Sequence, residues 1–228
     1  MFKYYKNKYG IEVPRVNEIL RHIGDSSGLC SWANDLGFKK INYNSILNEY
    51  SSIGSYAHNM INSYINNNDE YFDIDKKLYN MATNAYSGFK VWFDDISKNN
   101  DVKVLFSEYT IVGDEYGGTI DALIEINGKL YLADFKTSND TRIEHILQLC
   151  AYKELLKEVE NIEIDGMMII KSDKNISESY TEYMILDNNE NSEFISICVS
   201  CFRNALAFYK DYKASISIFN EKGKFMIK

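Results

Sequence analysis

A chain of 228 residues with 45% hydrophobic and 14% aromatic content can bury one sizeable core. Its formal net charge of −8 argues against a broadly basic nucleic-acid footprint, and no apolar run approaches the length of a membrane-spanning helix. The start, Met1-Phe2-Lys3-Tyr4-Tyr5-Lys6, lacks the charged, apolar and small-residue layout of a signal peptide, so a soluble, cytoplasmic protein is expected.

Residues 1–40 carry seven Lys or Arg against four acids, with Tyr4, Tyr5 and Tyr9 among them. Such a segment either tracks phosphates and stacks bases or is an ordinary polar terminus. Residues 14–98 read as about four helical segments broken near Gly24, Gly37 and Asn66-Asn67-Asn68. The acids Asp69, Glu70, Asp73 and Asp75 suit a solvated helix entry. Strands are expected at about 103–112, 118–126 and 129–137, a helix at 140–158, strands at 164–172 and 178–186, and a helix from about 190 to 213.

The centre of the chain is the most informative. Residues 118–126 and 129–137 alternate and are rich in β-branched and aromatic side chains, and Asn127-Gly128 between them is a strong signal for a two-residue hairpin turn. In that register Ile126 faces Lys129, and counting back sets Asp121 opposite Asp134, Cβ atoms about 5 Å apart. Lys136 follows on the same face. Opposed carboxylates repel unless a cation lies between them, and a hard divalent ion such as Mg²⁺ or Mn²⁺ takes such oxygens while leaving room for water and phosphate. Lys136 can then orient water or offset charge on a reacting phosphate. An exposed hairpin with scattered charge is the plainer reading, but Ile120, Ala122, Leu123, Ile124, Leu132, Ala133 and Phe135 make both faces too apolar for it.

These residues resemble the PD-(D/E)XK nuclease superfamily, in particular its RecB-like branch with phage and mitochondrial genome maintenance exonucleases. Gly118-Thr119-Ile120-Asp121 resembles the branch's GxxD strand, Asp134-Phe135-Lys136 its DxK, Gln148 and Tyr152 its QxxxY helix, and Gly54 to His58 its GxxxH helix. Val13-Pro14-Arg15-Val16 and Trp32-Ala33 with Gly37 are similar to entry motifs of the phage and mitochondrial group. The likeness spans roughly residues 11–186. It implies an α/β, restriction-endonuclease-like core, a central mixed sheet flanked by helices, with an N-terminal helical cap. One domain would cover 1–228: cap about 1–100, core about 101–190, then a C-terminal helix and tail.

Residue by residue, the resemblance implies that Asp121, Asp134, His58 and the main-chain carbonyl of Phe135 bind metal, that Glu108 joins them, and that Lys136 is the catalytic lysine. Gln148 and Tyr152, four apart on one helix face, would contact substrate or brace the site; a substrate-side position is expected, the plainer alternative being a buried hydrogen bond. His145 shares that face as a weaker candidate. His22 has no motif around it and reads as structural or exposed. Some relatives hold an iron-sulfur cluster with one Cys before the core and three after. Here Cys30 precedes, only Cys198 and Cys201 follow, and Cys150 lies inside the QxxxY helix, so no cluster is expected.

The sequence thus reads as a divalent-metal-dependent deoxyribonuclease, an exonuclease on single-stranded or duplex DNA ends in recombination, repair or phage DNA processing; endonucleolytic cleavage uses the same chemistry. A reading from another class is a nuclease-derived binding protein that engages host recombination or CRISPR machinery, to which an acidic surface is suited. Intact His58, Asp134 and Lys136 weigh against it.

Overall fold

The computed structural model describes residues 4–24, 27–68, 75–138 and 140–226. Met1 to Lys3 and the acidic stretch Asp69 to Asp73 lie outside them. A short hairpin, β1 (Tyr5–Lys6) and β2 (Glu12–Val13), precedes four helices: α1 (Val16–Leu20), α2 (Ser27–Phe38), α3 (Tyr43–Ile65) and α4 (Lys76–Ser97). The core follows as β3 (Val102–Val112), β4 (Gly117–Ile126), β5 (Lys129–Lys136), α5 (Ile143–Leu155) with a π-helical turn at Leu156–Glu160, β6 (Gly166–Ser172), β7 (Tyr180–Leu186) and α6 (Ser192–Met226). Among the described residues no helix is long and apolar enough to cross a membrane.

Local chemistry sets most boundaries. Asn42 caps α3 by accepting from the Ser45 N–H at 3.2 Å, and Asp75 caps α4 by accepting from the Lys77 N–H at 2.8 Å. Asn127 and Gly128 hold φ of 52° and 79°, the left-handed pair that a two-residue turn demands. The Asn127 side chain also accepts from the Asp101 N–H and donates to Asn100, which ties the turn to the start of β3.

The five long strands form one mixed sheet in sequence order β3-β4-β5-β6-β7, antiparallel except for the β5–β6 pair. The parallel pair needs a crossover, and α5 supplies it. Ala122, Ile124, Ala133, Phe135, Met168 and Ile170 pack under α3 and α4 through Ile61, Phe89 and Trp92. Leu123, Leu132, Met167 and Ile169 pack on the opposite side with α1, α5 and α6. Helices therefore cover both faces, the restriction-endonuclease-like arrangement that the motifs imply.

Two elements differ from the expected ones. The hairpin β1–β2 arises in a segment for which no strand is expected, because Asn7 accepts from the N–H groups of Tyr9 and Ile11 around Gly10, whose φ is 76°. Helix α6 continues well past residue 213; beyond Tyr209 the described side chains are no longer buried, so no amphipathic signal marks that extension.

Candidate active site

Glu108, Asp121 and Asp134 lie near one level of β3, β4 and β5, where the β3–β4 ladder skips a pair and the β4–β5 ladder ends while β5–β6 pairing continues. Between β3 and β4 the ladder holds at Ser107 with Ala122 and at Tyr109 with Ile120, but it skips Glu108 and Asp121. Between β4 and β5 it runs from Ile126–Lys129 to Ala122–Ala133 and ends there. Ile120 and Leu123 share one core layer although strict alternation would set them on opposite faces, so β4 turns at Asp121.

The register derived from the turn therefore holds for five pairs and gives out one step before the acids. Asp121 does not oppose Asp134 as a ladder pair; its Oδ2 accepts the Phe135 N–H at 2.8 Å and fills the gap between parting strands. Glu108 has φ of 48°, a left-handed conformation that costs a non-glycine residue about 1–2 kcal/mol. Its carboxylate reaches His58.

Helix α3 delivers His58 into this gap. Its Nδ1 lies 3.1 Å from Glu108 Oε1 and 3.6 Å from Asp121 Oδ1, and its Nε2 lies 3.0 Å from the Phe135 carbonyl oxygen. Both partners in hydrogen-bond range are acceptors, which favours the doubly protonated ring while no cation is bound; a cation held at Nδ1 would displace that proton. Enclosure opposes the charge, but Asp121 and the bond to Glu108 outweigh it and raise the pKa to about 9.

Lys136 is held on the other side. Its ammonium donates to Asp134 Oδ1 at 2.8 Å and to Gln148 Oε1 at 3.3 Å, and it lies 2.7 Å from Asp134 Oδ2 without hydrogen-bond alignment to that oxygen. Burial and the nearby Asp121 raise the Asp134 pKa while Lys136 pulls it down, leaving a net upward shift. Burial would lower Lys136, but Asp134 and Asp121 raise it overall.

The Gln148 amide donates to the Tyr152 hydroxyl at 3.3 Å, and both side chains are buried. Gln148 therefore links Lys136 to Tyr152, a bracing arrangement, while it also borders an open cleft. Tyr152 explains Gly118 as well: a Cβ on Gly118 would come within 2.4 Å of the Tyr152 ring. The GxxD strand and the QxxxY helix meet at that contact, which the sequence pattern alone does not reveal.

The donor atoms that come together, all within 4.8 Å of one another, belong to His58, Glu108 and Asp121. One imidazole and two carboxylates fit a divalent cation. Asp134 itself is engaged with Lys136, and the Phe135 carbonyl with His58.

His145 lies in the first turn of α5, its Nδ1 accepting from the Arg142 N–H at 3.3 Å, and burial together with Lys136 holds its pKa down to about 4. With Gln148, Asn17, Arg21 and Arg142 it lines a cleft of about 320 Å³. His22 packs on the rings of Tyr209 and Tyr212. Cys150 and Cys198 are buried, whereas Cys30 and Cys201 are exposed. The N-terminal tyrosines divide, Tyr5 bonding Thr119 through its hydroxyl at 3.0 Å while Tyr4 and Tyr9 stay exposed.

No protein-family model matches the chain, and no curated protein is significantly similar to it. Among solved structures it is similar to an alkaline exonuclease, LHK-Exo, from Laribacter hongkongensis, at 13% identity and a TM-score of 0.36, covering 75% of this chain and 85% of that one. The complex of LHK-Exo with dAMP gives the same values. A structure of SSO0001 is similar over 53% of this chain and 55% of that one, at 16% identity and a TM-score of 0.29.

Proposed function

We propose that this chain is a divalent-metal-dependent deoxyribonuclease that hydrolyses phosphodiester bonds, working as an exonuclease on DNA ends in recombination, repair or phage DNA processing. One observation carries the reading: His58, Glu108 and Asp121 converge where the β4–β5 ladder ends, beside the Asp134–Lys136 pair. Those three residues would hold Mg²⁺ or Mn²⁺, with Asp134 available as a further carboxylate, and the ion would supply charge neutralisation at the phosphate and a more acidic water.

The protein's own groups have separable tasks. Lys136 carries N–H donors beside the acids, where they can orient the attacking water and stabilise negative charge developing on phosphate oxygens. Gln148 and Tyr152 fix the lysine's position, since Gln148 bonds both. Asp121, through its bond to the Phe135 N–H, keeps the strand end open toward His58.

The test uses end-labelled linear single strands, linear duplexes and closed circles with purified protein in Mg²⁺ or Mn²⁺. Linear DNA should shorten from its ends, circles should survive, and chelation or Lys136→Ala should stop the reaction. No degradation in either metal, or equal degradation by Lys136→Ala, rejects the nuclease reading; cut circles reject the exonuclease mode alone.

A further inference from the structure

Helix α3 carries more than His58 toward the site. Leu47, Tyr50, Gly54 and His58 follow one another at helical spacing and share one stripe, so Tyr50 lies about 12 Å along the axis from His58. Gly54 brings this stripe against the exit of β5, where a Cβ at that position would sit 3.5 Å from Thr137 Oγ1. Thr137 directly follows Lys136.

An aromatic column stands on the same stripe. The Trp32 indole lies parallel to the Tyr50 ring, centroids 6.1 Å apart at 16°, and meets Tyr43 edge-on at 5.4 Å. Lys174 sets its ammonium 4.9 Å from the Tyr50 centroid and donates to the Thr137 carbonyl at 3.1 Å. The column therefore begins next to Lys136 and ends in α2. That helix buries none of its own residues, and Tyr50 is 44% exposed. Trp32 and Tyr43 are half-buried, so the column is covered only in part.

We propose that Trp32 and Tyr50, backed by Lys174, form a base-stacking wall for the single-stranded polynucleotide adjoining the bond to be cut. The proposal rests on the nuclease reading and narrows its substrate to a single strand at that position. Three features select this occupant. The column is continuous with the residues beside the scissile position, so whatever fills it extends the molecule in the site. Planar rings with the Lys174 ammonium set over Tyr50 match planar bases on an anionic backbone. A chain of net charge −8 offers no broadly basic footprint, whereas stacking is sequence-tolerant and largely independent of charge. Duplex DNA keeps its base faces stacked internally and has none to offer.

Trp32 also supplies the probe, since the chain has two tryptophans and Trp92 is fully buried with its Nε1 bonded to Glu182. In EDTA, where no cutting occurs, a single-stranded oligonucleotide should quench Trp32 emission, and a blunt duplex or an abasic strand of equal length should not. By anisotropy of a labelled strand, Tyr50→Ala and Trp32→Ala should weaken binding about tenfold, and Trp32→Phe should keep it within about threefold. Equal quenching by the abasic strand, or wild-type affinity in Tyr50→Ala, overturns the wall. Cleavage in Mg²⁺ separates the two proposals. Cutting without a Trp32 response removes the wall and leaves the nuclease; a response without cutting supports the wall and removes the nuclease; neither signal removes both.

Discussion

The two ends of the β4–β5 hairpin are built from the same two strands and obey different rules. At the turn, Asn127 and Gly128 supply the left-handed angles the backbone needs, the ladder is complete from Ile126–Lys129 to Ala122–Ala133, and both side-chain polar groups of Asn127 are paired. At the other end the ladder stops, Glu108 adopts a left-handed angle its side chain does not favour, and three acids, a lysine and a histidine crowd together. Regularity at one end sets the register that lines up the acids at the other. The irregular end then converts backbone pairing into open side-chain oxygens.

Substitutions at the open end should act on chemistry, and those at the turn on stability. Lys136→Ala should lower single-turnover DNA hydrolysis by about 10²–10³-fold, the scale of losing one charged donor at developing negative charge, with unchanged circular dichroism. Retained activity would break the contrast. Gly118→Ala drives a methyl into Tyr152 and should cost about 1–3 kcal/mol in denaturant unfolding, with activity falling as Lys136 loses its brace. Asn127→Ala, at the regular end, should cost about 1 kcal/mol in the same unfolding experiment and leave hydrolysis at wild-type rates. Glu108→Asn sharpens the comparison furthest. Asn tolerates the left-handed region but gives up the carboxylate paired with His58, so unfolding free energy should change by less than about 1 kcal/mol while affinity for Mn²⁺ in titration calorimetry falls.

Sequence legibility follows the same division. The hairpin register was readable because Asn127-Gly128 fixes one turn type and five rungs follow from it. The helix and strand order was readable because periodicity and the breaks near Gly24, Gly37 and Asn66 mark it. The break at Asp121 was not readable, since counting along a strand assumes an unbroken ladder. Glu108 looked like the weakest acid because nothing in the sequence signals its positive φ, yet it lies 3.1 Å from His58. Gln148 and Tyr152 could be set on one helix face but not given a direction, because burial depends on what α5 packs against.

The close seat of Tyr152 on Gly118 ties two distant stretches into one shape. Neither position is free to drift alone, since a side chain at 118 has room only if the ring at 152 shrinks. Across homologues these two sites should therefore exchange size together: a bulkier residue on the strand accompanied by a smaller one on the helix. Their joint variation would report the fit between strand and helix even where the acids themselves never change.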